Sequence, residues 1–157
     1  MPIIEPGAVR DRLAACPIAT FAEGERVLRQ GTVTERLLFL SSGAIDIMRD
    51  DVTLARVAEP GAVLGDMAVI LGRPHSADVW AAAPTRCHVI EDAAQLLRAE
   101  PELALYVMTV LASRLDAVNG LLIETRARLG DAGPQRGFLA ETLDSLGRAM
   151  RGGGVPM

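Results

Sequence analysis

Residues 64–79 read LGDMAVILGRPHSADV. A short run from Asp66 to Leu71 lies between Gly65 and Gly72, followed by Arg73-Pro74-His75-Ser76-Ala77. Gly65 lets the backbone approach a ligand closely. Asp66 to Leu71 can form a turn of helix, and the free N–H groups of its start, including those of Met67 and Ala68, point at an anion. Gly72 ends that turn, and Pro74 stiffens the exit. Ser76 adds a hydroxyl donor, and Ala77 is small enough to leave room. A cyclic phosphodiester carries one negative charge on two free oxygens. It suits a nest of N–H groups plus one cationic side chain. The alternative is a plain turn in a barrel with no ligand.

Working outward, the flanking sequence has the period of short strands. From Thr20 to Ile90 the chain runs TFAEGERVL, RLLFLSSGAIDIM, TLARVAEPGAVLGD and SADVWAAAPTRCHVIE, split by Gly and Pro. Short strands with regularly spaced turns predict a small β barrel or jelly roll over about 19–92. Leu37 to Met48 reads as a hairpin turning at Ser41-Ser42-Gly43, with Gly43 at positive φ. Asp78 and Trp80 alternate with Ala77 and Val79, so they are expected to face away from the loop's ligand side.

Helical patterns flank the barrel. GAVRDRLAAC, residues 7–16, is stopped by Pro17. Residues 101–129 open on Pro101, where a helix tolerates proline. Met108, Leu111, Leu115, Val118, Leu122 and Leu129 are spaced as a heptad seam, which predicts a homodimer through this helix. A second stripe, Leu103, Val107, Val110 and Leu121, is expected to face the barrel. Asn119, beside the seam, either pairs with a purine edge or sets helix register. Residues 1–130 are taken as one domain. Residues 131–157 follow as a loop, a short amphipathic helix over 138–150 and a flexible tail.

Composition narrows the function classes. The chain has 157 residues, 50% hydrophobic and 3% aromatic, with a net charge of −4. A net negative charge argues against nucleic acid as a partner. With two cysteines and two histidines, a disulfide framework or metal site has too few donors. A metal-dependent enzyme on a similar barrel is excluded on the same ground, and no catalytic residue or cofactor is expected. No secretory signal stands at the start. No uninterrupted apolar run reaches the length of a membrane span. These features predict a cytoplasmic protein.

The order and spacing of these pieces resemble the cyclic nucleotide-binding domain family, from about Ala19 to Leu129. Phe21, Gly24-Glu25 and Gln30-Gly31 resemble its opening strands. LFLSSGAIDI at 38–47 is similar to its central hairpin, with Gly43 at the turn, Gly61 to a structural glycine, and 64–79 to its phosphate-binding cassette. The resemblance implies a catabolite activator protein-like sensor domain without the DNA-binding domain, since too little chain follows Leu129 for a helix-turn-helix. It implies cAMP or cGMP as ligand, phosphate capture at 65–76, movement of the C-terminal helix, and a protein effector.

Two positions depart from the family pattern. The acid that accepts from the ribose 2′-hydroxyl is Asp66, one methylene short of Glu. The position of the phosphate-binding Arg is His75. Arginine offers a permanent charge and a bidentate fork, which histidine lacks. Loss of the fork costs roughly ten- to a hundredfold in affinity. Arg73, two residues earlier, is the candidate to compensate. If His75 holds the phosphate, affinity strengthens as pH falls through about 6.5. The competing reading is a degenerate, nucleotide-free barrel kept for dimerisation or partner binding.

Overall fold

The computed structural model describes residues 6–130. Helix α1 spans Pro6–Ala14, with proline at the first helical position, where its missing N–H costs nothing. Strands β1 Ile18–Phe21, β2 Arg26–Leu28, β3 Leu37–Ser42, β4 Ile45–Arg49, β5 Val52–Val57 and β6 Val63–Leu64 follow. Helix α2, Asp66–Leu71, precedes β7 Asp78–Ala81 and β8 Thr85–Ile90. Helices α3, Ala93–Ala99, and α4, Pro101–Gly130, complete the described chain. The predicted helix at 138–150 and the tail lie outside the described residues. The chain separates into two compact units, Met1–Val110 and Leu111–Met157.

The strands form two four-stranded antiparallel sheets, in the orders β1-β8-β3-β6 and β2-β7-β4-β5. This is the expected jelly roll with flanking helices. Alternation along each strand divides its residues between two faces. Leu38, Leu40, Ile45, Leu64, Val79 and Cys87 are buried together between the sheets. Burial pushes the Cys87 thiol up to about 11, so it packs as a small apolar group rather than a nucleophile.

The intervening residues of β3, Leu37 and Phe39, point the other way and are still fully buried. Helices cover that face: Leu103 and Val107 of α4 and Val9 of α1 are buried. The Tyr106 ring of α4 lies 6.1 Å from that of Phe39. The expected second stripe holds at Leu103 and Val107. Leu121 belongs to the second compact unit and is 62% exposed. Met108, Leu115 and Val118 of the heptad seam are also exposed.

Helix α4 qualifies one expectation. By length and composition it is long and apolar enough to cross a membrane, with mean hydropathy 1.3 over an 18-residue window. Buried core helices of water-soluble proteins pass the same test, but only 6% of this window is buried; Arg114 and Asp116 interrupt its apolar run.

The predicted hairpin at Leu37–Met48 is not formed. β3 pairs with β6 and β8, whereas β4 pairs with β5 and β7. Gly43 does take a positive φ, 97°, but it carries the chain from one sheet to the other. A Cβ there would lie 2.5 Å from the Pro84 carbonyl oxygen. The Thr85 hydroxyl fastens the crossing by donating to the Ala44 carbonyl at 2.9 Å. The hairpin of this region is β4–β5. Its two turn residues, Asp50 and Asp51, have φ of 49° and 62°, the left-handed pair of a type I′ turn. Gln30, in the turn after β2, grips Asp50: its side-chain amide donates to Asp50 Oδ1 at 2.7 Å, and Oε1 accepts the Asp50 N–H at 3.1 Å.

As expected, Trp80 lies opposite in face to the buried Val79 and Ala81. It stands in a cross-strand row running Arg26, Trp80, Asp46, Arg56. The Arg26 guanidinium sits 4.9 Å from the Trp80 ring. Arg56 binds Asp46 through two hydrogen bonds of 2.7 Å, which hold the Asp46 carboxyl below its usual range.

Candidate functional site

The loop at 64–79 forms one connected structure. Gly65 is left-handed, φ 82°, and serves as the N-cap of α2. A Cβ there would meet the Arg36 carbonyl oxygen at 2.6 Å and His75 Cε1 at 3.4 Å, so only glycine fits this close approach. The first intrahelical bond runs from the Val69 N–H to the Gly65 carbonyl, at 3.1 Å. The N–H groups of Asp66, Met67 and Ala68 therefore have no intrahelical acceptor. Gly72 caps the other end, and the Arg73 N–H closes on the Ala68 carbonyl at 3.1 Å.

Side chains divide by burial. Asp66 is 4% exposed and Ala68 5% exposed, whereas Met67 stands out at 43%. Arg73 is exposed, and Ser76 and Ala77 are half-buried ahead of β7. Asn119 is half-buried on α4, within the second compact unit. The structure thus brings Gly65 and His75 together, buries Asp66 and Ala68, and leaves Met67 and Arg73 exposed.

His75 is the decisive side chain. It is 5% exposed, and its Nε2 lies 2.7 Å from Thr34 Oγ1. Its backbone is pinned on both sides: the His75 N–H donates to the Thr32 carbonyl, and the Gly31 N–H donates to the His75 carbonyl, each at 2.9 Å. Burial lowers its pKa below the ordinary 6.5, because a charged ring loses hydration there. The ring is therefore neutral at pH 7 and engaged with Thr34. The expected cationic role for His75 meets the opposite electrostatics.

Thr34 is the residue that sequence reading missed. It is 41 positions from His75, on the approach to β3, and no motif connects the two. Asp78 also ties the loop in: its Oδ1 accepts the Gln30 N–H at 2.8 Å. Helix α2 packs against α3, an element that sequence reading left out between 92 and 101.

Comparison with known sequences identifies the fold family. The sequence profile of the cyclic nucleotide-binding domain matches residues 18–98, just over half of the chain. The chain belongs to the cyclic nucleotide-binding domain family. Among solved structures, a cyclic nucleotide-binding domain from Methylobacillus flagellatus superposes with a TM-score of 0.66 at 23% identity, covering 78% of this chain and 74% of that one. The Thermus thermophilus catabolite activator protein gives 0.63 at 22% identity, covering 95% and 84%. At these identities the likeness is one of fold. Glutaminase 2 of Bradyrhizobium diazoefficiens is 39% identical over 106 residues, 63% of this chain. The match spans 17% of that relative's length.

Proposed function

We propose that this chain is a non-enzymatic, cytoplasmic regulatory module that takes a cyclic nucleotide on the backbone N–H groups opening α2, not on His75. The observation that carries this reading is the left-handed Gly65 leading directly into α2 inside a jelly roll of this family. Such a start presents N–H donors to a phosphate without any side-chain charge. Ser76 adds its hydroxyl, and Arg73 lends charge from the exposed rim. Asp66 stands where the resemblance puts the acid that accepts from a ribose hydroxyl.

A signal has a short covalent route out. α2 packs on α3, and Glu100 alone separates α3 from α4. Ligand that reorders α2 shifts the start of α4 through this connection. The exposed seam at Met108, Leu115 and Val118 supports a homodimer through α4. The similarity to a segment of a glutaminase supports an enzyme as the effector.

The His75–Thr34 bond favours a second reading, a nucleotide-free scaffold that uses the same α4 surface. Calorimetric titration with cAMP and cGMP near pH 6 and pH 8 separates the two, because a phosphate-binding histidine would tighten binding at the lower pH. Saturable binding that does not strengthen toward pH 6 is the expected result. A well-folded protein that binds neither nucleotide leaves the scaffold.

A further inference from the structure

Residues 31–36 belong to no helix or strand, yet they touch three parts of the molecule at once. At the exit of the cassette they hold His75. The Gly31 N–H donates to the His75 carbonyl and the His75 N–H donates to the Thr32 carbonyl, each at 2.9 Å. Thr34 Oγ1 lies 2.7 Å from the ring nitrogen Nε2. At the entry of the cassette the Arg36 carbonyl closes on Gly65, where a Cβ would lie 2.6 Å from its oxygen. At the start of α3 the Glu35 carbonyl accepts the Ala93 N–H at 3.0 Å, and Arg36 Nε donates to Glu91 Oε2 at 2.7 Å.

These contacts differ in what they hold. The exposed Arg36–Glu91 pair contributes little, because water and salt screen it. The Glu35 bond does more. A helix opens on N–H groups that have no intrahelical acceptor. Asp92, the N-cap of α3, makes no side-chain capping bond. Ala93 is fully buried, so water does not replace a lost partner for its N–H. The opening of α3 is therefore capped by a segment far away in sequence.

Thr34 sits between these anchors. Its hydroxyl meets the His75 ring on one side and accepts the Arg36 N–H at 3.4 Å on the other. Its chain neighbour is Glu35. A shift of the His75 ring therefore pulls on the peptide that abuts Gly65 and on the carbonyl that caps α3. A contiguous chain of hydrogen bonds of this kind is able to carry coupling between two elements.

We propose that residues 31–36 are a strap that couples the cassette to the start of α3, with Thr34 as its positioning residue acting through His75. His75 is then the anchor of the strap, at the position where the family resemblance puts a phosphate ligand. The strap is a second connection beside the packing of α2 on α3. The signal it would carry rests on the regulatory reading above, whereas the coupling itself is measured without ligand.

Amide hydrogen exchange of the full chain, resolved by residue with NMR, reads the strap directly. Thr34→Val keeps the side-chain shape and removes the hydroxyl. It is expected to speed exchange at Ala93 roughly three- to tenfold, the size of one neutral hydrogen bond. Leu40 and Ala82, whose N–H groups donate to the Ala62 and Ala44 carbonyls, are expected to change less. Thr34→Ser restores the parent rate. Thr34→Val also shifts the His75 ring nitrogens in ¹⁵N spectra while those of His88 stay put; the chain has two histidines, so one serves as the reference for the other. His75→Phe removes the other half of the same bond, so adding Thr34→Val to it speeds Ala93 no further. A cooperative melt checks that each variant is folded. An Ala93 rate unchanged in both single variants overturns the proposal. So does a rise matched at Leu40 and Ala82, a failure of Thr34→Ser to restore the rate, or additive effects in the double variant. Calorimetry that detects no cyclic nucleotide binding overturns the regulatory reading and leaves the strap standing.

Discussion

The cassette and the helix-covered layer each contain one histidine, and the two are treated in opposite ways. In the cassette, His75 is buried, bonded to Thr34 and held neutral. Under α1 and α4, His88 keeps a buried ring nitrogen with no partner among the described residues. The first ring has a nitrogen with a partner; the second has a buried nitrogen with none among the described residues. Chemical type was a poor guide to role here, because His75 stands at the position of a family phosphate ligand. The partner of each nitrogen separates the two.

The largest effect belongs to the helix-covered layer. Phe39→Ala removes a fully buried ring that packs on Tyr106, and is expected to cost about 3–5 kcal/mol in urea unfolding. A small loss would mean that the helices are loosely attached. Next comes the cassette backbone. Gly65→Ala puts a Cβ against the Arg36 carbonyl at positive φ, with an expected cost of about 1–3 kcal/mol. Unchanged stability and unchanged nucleotide titration would break the close-approach argument.

The matched pair His75→Phe and His88→Phe sharpens the comparison directly. His75→Phe leaves the Thr34 hydroxyl without its ring partner, and chemical denaturation is expected to register a loss of about 1–3 kcal/mol. His88→Phe removes an unpaired buried nitrogen, so the same measurement is expected to show no loss or a gain of about 1 kcal/mol. Equal losses at both positions would erase the distinction drawn between them.

The smallest effect is in pH. The folded state holds the His75 pKa below its ordinary 6.5, so the unfolded chain takes up the proton first as pH falls. This contribution to stability is fully present above about 6.5 and is lost as pH drops below it toward the folded value. Comparing melting temperatures of the protein and His75→Phe from pH 8 downward checks the sign. The gap should narrow below 6.5; a gap that widens there refutes the neutral assignment.

Much of the fold was legible because its signals are local. Glycine-bracketed runs marked the cassette, and alternation placed Val79 inward and Trp80 outward. Of the heptad positions on α4, Met108, Leu115 and Val118 are exposed and Leu111 and Leu122 are half-buried. The β3–β4 hairpin was misread because Ser41-Ser42-Gly43 has the composition of a tight turn. Whether a glycine at positive φ closes a hairpin or sends the chain to another sheet depends on what it packs against, here Pro84 and Thr85. The true hairpin turn, Asp50-Asp51, lacks glycine and is supported by Gln30, 20 positions away.

By itself the sequence determined which backbone sits at the candidate site: a glycine-capped helical turn in a jelly roll, with Asp66 and His75 in place of the family's acid and arginine. The turn and the jelly roll depend on neighbouring residues and on the period of the chain; the two replaced positions are what the resemblance implies. Tertiary structure alone decided the protonation and partner of His75, the sheet to which β4 belongs, and the burial of the His88 ring nitrogen. Each of these is set by atoms far apart in sequence. Desolvation, hydrogen bonding across 41 residues and the shape of the space between a helix and a sheet have no local spacing from which to read them.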